Sequence, residues 1–178
     1  MARVPYFDMS KAPPEFAALM SARRPLNLYR MLPHAGPAGQ GFLKLGGALL
    51  RENALDSQLR EVAILRVGHL SKASYEVHQH RRIALKLGLT EAKLAALEVG
   101  ADTSALSPLE TKVLHFTDQL VHHVKAPEDM WNDLHKHLDH RQMAELVLTV
   151  GFYMMVSRFL ENFEVDIEPP GTAPGTGT

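Results

Sequence analysis

Three ionisable side chains in the middle of this chain carry the chemistry: Glu61, Glu76 and His80. Each residue turns about 100° around a helix. Glu76 and His80 are four apart, so they stand side by side on one helical face, together with Ile83, Ala84 and Leu87 and with Val77 at the edge. His78, Gln79, Arg81, Arg82 and Lys86 take the opposite, polar side. Glu61 sits in a run, Leu59 to Leu70, that is apolar almost all round and therefore reads as a central buried helix. Arg60 and Arg66 interrupt the same run. Buried charges cost several kcal/mol unless they are paired. Two carboxylates and an imidazole on the inner faces of consecutive helices are suited to acid–base work, because imidazole titrates near neutral pH. The same three groups also read as a structural ion network, or as ligands of an iron or zinc ion. Their spacing matches neither the Glu-x-x-His pair of di-iron bundles nor His-Glu-x-x-His. No metal and no cofactor is expected.

The elements that hold these groups read as helices throughout, so the fold expected is all-α. Pro13 and Pro14 start a short helix running to Arg23, and Pro25 restarts the chain for Leu26 to Leu32, stopped by Pro33. A glycine-rich helix covers Pro37 to Arg51, and its Gly46-Gly47 pair implies close approach of another backbone. Asp56 and Ser57 cap the run to Leu70, and Ser74 caps the next helix, which ends before Gly88. Thr90 opens a short helix. Ser107-Pro108-Leu109-Glu110 is a strong start for a helix to Val124. Pro127 opens a helix with Trp131 and Leu134, and Asp139 opens the last one, to Phe163. Leu55-Asp56 precedes Val67-Gly68 by the spacing at which Leu138-Asp139 precedes Val150-Gly151, a faint internal echo.

Composition narrows the chemistry. The 178 residues suit one sizeable core, and a net charge of -1 calls for neither nucleic acid nor an anionic membrane. With no cysteine, disulfides, thiolate metal sites and thiol redox chemistry are excluded. No apolar stretch is expected to reach the ~18 residues that span a bilayer, and the N-terminus lacks a signal-peptide run, so the reading is cytoplasmic. His115, His122, His123, His135, His137 and His140 read as surface residues, and Met143, Met154 and Met155 as core filling.

Leu59-Arg60-Glu61 with the apolar run to Val67, then Tyr75-Glu76-Val77-His78-Gln79-His80, Ala84 and Gly88-Leu89-Thr90, resembles the core of the carboxymuconolactone decarboxylase family. Val77 stands where that pattern has tryptophan. Trp131, Leu134, Gly151, Tyr153 and Arg158 extend a looser match. The resemblance implies an alkylhydroperoxidase-D-like helical domain with a central helical hairpin, assembled as a homo-oligomer, trimer or hexamer. It divides the chain into an N-terminal helical extension (1–54), the family-like domain (55–168) and a disordered tail (169–178). The alkylhydroperoxidase D branch uses Cys-x-x-Cys-x-x-x-His. With its histidine on His80 its cysteines fall on Ala73 and Glu76, and its proton-relay glutamate on Glu61. The decarboxylase branch implies a cofactor-independent reaction on a small unsaturated carboxylate or lactone, through an enolate. His80, Glu61 and Glu76 are then the catalytic set. Arg60, Arg66 and Tyr75 are expected at the substrate, the arginines as bidentate carboxylate partners. Isomerisation and hydrolysis draw on the same groups.

Overall fold

The computed structural model describes residues 1–21, 23 and 26–169; the expected restart at Pro25 and the tail from Pro170 lie outside them. The described residues form helices and no strands. The chain divides into two units, Asn53–Phe159 and Met1–Glu52 with the segment from Leu160. The sequence reading drew its boundaries at 54 and 168.

In the terminal unit, a 3-10 turn at Met9–Lys11 precedes α1 (Pro14–Met20) and α2 (Asn27–Met31). Pro33 does not stop α2 abruptly, because a 3-10 turn over Leu32–Ala35 carries the chain on. α3 spans Pro37–Arg51, with proline in its first turn as its sequence demands. A close backbone approach occurs at Gly39, where an added Cβ would clash with the carbonyl oxygen of Leu32. Gly47 faces the guanidinium ends of Arg51 and Arg23.

The larger unit is built around α4 (Ser57–Leu70), packed between α5 (Ser74–Lys86) and α7 (Pro108–His123). Asp56 caps α4 by accepting from the amides of Gln58 and Leu59. Every residue from Leu59 to Gly68 is buried. A central helix with no solvent face explains that, and it is the pattern the sequence carried. α4 ends in a Schellman turn. The Ala73 amide bonds Gly68 O, the Lys72 amide bonds His69 O, and Lys72 takes the left-handed conformation at φ 54°. The turn leaves Ala73, not Ser74, as the residue before α5. The far end of the hairpin is pinned by Gln58 Nε2 donating to Leu87 O at 2.7 Å. Gly68 permits the close approach, since an added Cβ would meet Val77 Cγ2 at 3.0 Å.

α6 (Glu91–Ala96) and α8 (Glu128–His135) are short, and a full capping box starts α7 at Ser107 and Glu110. α9 (His140–Phe163) starts with a reciprocal pair, Gln142 amide to Asp139 Oδ1 and Asp139 amide to Gln142 Oε1. Glu145 on its second turn accepts from the Ala54 and Leu55 amides, fixing α9 against the entry to α4. Contrary to expectation, α9 is long and apolar enough to cross a membrane by length and composition; half of its most apolar stretch is buried inside the protein.

Candidate active site

Helix α4 supplies Glu61 from its buried middle and α5 supplies Glu76 and His80, one turn apart. The glycine at position 68 lets the two helices come close enough for the three side chains to meet. His80 Nδ1 lies 2.6 Å from Glu61 Oε2, and Nε2 lies 3.1 Å from Glu76 Oε1. The second contact has ion-pair distance without hydrogen-bond alignment, so the buried Glu76 Oε1 has no hydrogen-bond partner. Glu61 is 0% exposed, and Glu76 and His80 are buried with it. Glu76 stands in the first turn of α5, where the helix dipole favours a carboxylate.

Burial alone depresses an imidazolium. Here the charge of Glu61, then that of Glu76, and the hydrogen bond to Glu61 outweigh it and raise the His80 pKa to about 10. The ring is therefore an imidazolium at neutral pH, donating from Nδ1 to Glu61. Arg60 completes the cluster. Its Nε and Nη2 reach Glu61 Oε1 at 3.4 and 3.3 Å, and Nη1 reaches Asn53 Oδ1 at 3.4 Å. Two carboxylates and two cations give a buried quartet of zero net charge, the condition under which such groups are tolerated inside a protein.

The structure leaves Arg66 out of this cluster. Its guanidinium is bidentate on Asp118 at 2.6 and 2.9 Å, and Nη1 donates to the carbonyls of Leu97 and Glu98. Tyr75 is buried beside Glu76 in the first turn of α5. The face of α5 is turned slightly from the expected one. Gln79 is buried with Tyr75, Glu76, His80 and Ala84, whereas Ile83 is 36% exposed and Leu87 half-buried. His78 points to water as read. Among the other histidines, His69 and His135 are half-buried and the rest are exposed. One residue not assigned to the site from sequence is Tyr153 of α9. Its ring meets that of His80 edge-on, with centroids 4.9 Å apart. Its place in the looser family match was the only signal.

Glu61 and Glu76 occupy opposite nitrogens of the ring, so the three side chains do not converge on one point. Among the described residues, no group of three or more histidines and carboxylates is arranged to hold a metal ion.

Residues 37–119 match the sequence model of the carboxymuconolactone decarboxylase family. That stretch, a little under half of the chain, is where the similarity to the carboxymuconolactone decarboxylase family lies. The match begins with α3, so part of the segment read as an extension lies within it. A curated relative, the uncharacterized protein YdfG of Bacillus subtilis, is 22% identical over 103 residues, covering 57% of this chain and 70% of its own. An uncharacterized peroxidase-related protein from Ralstonia eutropha, with an alkylhydroperoxidase AhpD core, superposes with a TM-score of 0.78 at 17% identity over 98% of both chains. A protein of unknown function from Agrobacterium tumefaciens, described in connection with the antioxidant defence protein AhpD, gives a TM-score of 0.70 at 17% identity, over 76% of this chain and 94% of its own. The AhpD-like fold is thus shared. Thiol peroxidase chemistry is not open to this chain, which has no cysteine; Glu76 stands where that motif places one.

Proposed function

We propose that the protein is a cofactor-independent enzyme that decarboxylates a small unsaturated carboxylate or lactone through an enolate. The observation that carries this reading is the buried ring of His80, held between two buried carboxylates at 2.6 and 3.1 Å, which favour its protonated form. Decarboxylation consumes one proton. The C–C bond to the carboxylate breaks, its electron pair passes into the conjugated carbonyl as an enolate, CO2 leaves, and a proton is delivered to carbon. His80 holds that proton at rest, and Glu61 stabilises and orients the ring. Glu76, with an oxygen lacking a hydrogen-bond partner beside Nε2, is placed to pass the proton on. After delivery the ring takes its next proton from solvent.

Arg60 is the cation proposed for the substrate carboxylate, because its bonds to Glu61 and Asn53 are long, at 3.3 to 3.4 Å, and exchange readily for a bidentate pair. Arg66, engaged on every side described, is the weaker claimant. Tyr75 and Tyr153 are proposed as walls of the substrate space. The orphaned Glu76 oxygen also supports isomerisation, in which a base first removes a proton from carbon.

The test is an assay of gamma-carboxymuconolactone and related lactone acids in D2O. CO2 release with one deuterium placed on the product carbon is expected, lost in His80→Asn. Deuterium exchange without CO2 release points to the isomerase reading. If wild type does neither, or His80→Asn retains full turnover, the proposal fails.

A further inference from the structure

Gly151 stands in the middle of the 24-residue helix α9, exposed, with nothing among the described residues within 4 Å of an added Cβ. Glycine is the poorest helix former after proline, and neither a turn nor a packing contact within the chain calls for it here. Around it the solvent face of α9 is apolar. Leu148 is 52% exposed, Met155 45% and Val147 37%, and Ala144 is exposed beside them. Arg141, Ala144, Leu148, Gly151, Met155 and Arg158 recur every three or four residues, the spacing of a helix–helix seam.

We infer that this face of α9 packs against α9 of a second copy of the chain, antiparallel, with the two-fold axis at Gly151. Three observations favour a second copy over another partner. The seam is self-complementary about that glycine: Val147 of one copy meets Met155 of the other, and Leu148 meets Met154, large apolar side chains on both sides of a small one. A glycine at the crossing point lets two backbones approach closely. Charge repeats the pattern. Arg141, Glu145, Arg158 and Glu161 alternate in sign along α9, so antiparallel packing sets Arg141 against Glu161 and brings Arg158 to the turn that carries Glu145. Parallel packing would set like charges together. The patch also continues past the helix. Val147 lines an apolar groove of about 360 Å³ with Phe116, Leu120, Val124 and Trp131, and Val124 is 87% exposed. A stable interface needs roughly 800 Å² per partner, more than one short helix seam supplies, and the groove extends the apolar area.

The absence of cysteine makes the test direct. Gly151→Cys places a single thiol on the proposed axis, where two copies come within disulfide reach. Under mild oxidant the full-length protein should cross-link to a dimer in high yield. Ala144→Cys should not, since its two copies would lie roughly 20 Å apart along the antiparallel helices. Light scattering should give an oligomer for wild type and the monomer mass for Leu148→Glu/Met155→Glu, with its helical circular dichroism spectrum kept. A monomeric wild type overturns the inference. So does a charge variant that keeps the wild-type mass, or equal cross-linking at 144 and 151. Wild-type flotation with lipid vesicles, lost in the charge variant, would overturn it in favour of a bilayer as the occupant.

Discussion

Helices α4 and α9 open alike and end in opposite circumstances. Each is started by an aspartate, Asp56 or Asp139, and each carries a glycine twelve residues on. At Gly68 an added Cβ would press on Val77 Cγ2 at 3.0 Å and lie 3.8 Å from Glu76 Cγ. At Gly151 it would meet nothing. The same local signal thus has an intrachain cause in α4 and, among the described residues, none in α9. In α4 the glycine brings α5 close enough for Glu61, His80 and Glu76 to join. That contrast separates a face the chain has finished from one it has left open, and it is why a partner is sought at α9 and chemistry at α4.

The strongest test of the finished face compares His80 with His78, two residues apart on α5, one buried and one exposed. His80→Ala should lower turnover of an accepted substrate about 10²–10⁴-fold, as loss of a positioned acid or base does. His78→Ala, on a solvated face, should change stability by under ~0.5 kcal/mol and leave turnover near wild type. Steady-state kinetics with a melting curve for each variant decide it. A dead His78 variant beside an active His80 variant would place the chemistry on the other side of α5. Loss of folding in His80→Ala alone would make the quartet a packing device.

The pH dependence of stability probes the same quartet. The folded pKa of His80 is raised to about 10 from an ordinary value of 6.5, so its contribution is fully present below pH 6.5 and is lost as pH rises through 10. The groups facing the ring are Glu61, Glu76 and Tyr153, with Arg60 behind Glu61. Melting temperature should fall between pH 6.5 and 10, by an amount equivalent to a few kcal/mol. The slope should be shallower in His80→Gln, whose side chain does not titrate. Parallel curves for the two proteins would mean that the ring is neutral when folded.

Much of this was legible in the residues, for stated reasons. The limits of α3, α4 and α9 follow from proline, capping aspartate and unbroken helical period, and those local signals survive folding. The inward turn of Glu76 and His80 followed from helical angle, and the burial of Glu61 from a helix apolar almost all round. The misses are all long-range. Arg66 looked available because Asp118, fifty-two positions away, cannot be paired with it from periodicity. Tyr153 comes to His80 from a helix seventy-odd positions on. Gln79 and Ile83 exchanged roles because the buried arc of α5 is set by what packs on it, not by its own polarity. Met155 read as core because it is apolar, yet it is exposed, and the local sequence cannot distinguish a core from an interface.

Gly68→Ala gives a smaller effect, and it tests whether the close approach in α4 is real. A methyl at 3.0 Å from Val77 Cγ2 forces α4 and α5 apart, which should cost about 1–3 kcal/mol despite the gain in helix propensity. Val77→Ala in the same chain should recover part of it. Denaturant midpoints for the two single variants and the double variant measure the coupling. Additive effects would show that the two residues do not meet.

The smallest expected effect is at the open face, and it has the opposite sign. Gly151→Ala adds a methyl where the chain has nothing within 4 Å, so in an isolated monomer only helix propensity changes, worth up to ~1 kcal/mol in favour of the folded state. The monomeric background is Leu148→Glu/Met155→Glu, which leaves the helix intact while charging its exposed seam. There, Gly151→Ala should raise the melting temperature by roughly 2–4 °C for a domain of this size. In the unaltered chain the same methyl stands at the proposed crossing point, so the gain should shrink or reverse, and dissociation should begin at higher protein concentration. Equal gains in both backgrounds would mean that Gly151 touches nothing in either state. A loss in the monomer would mean that Gly151 is packed inside the chain after all, and the difference between the two glycines would disappear.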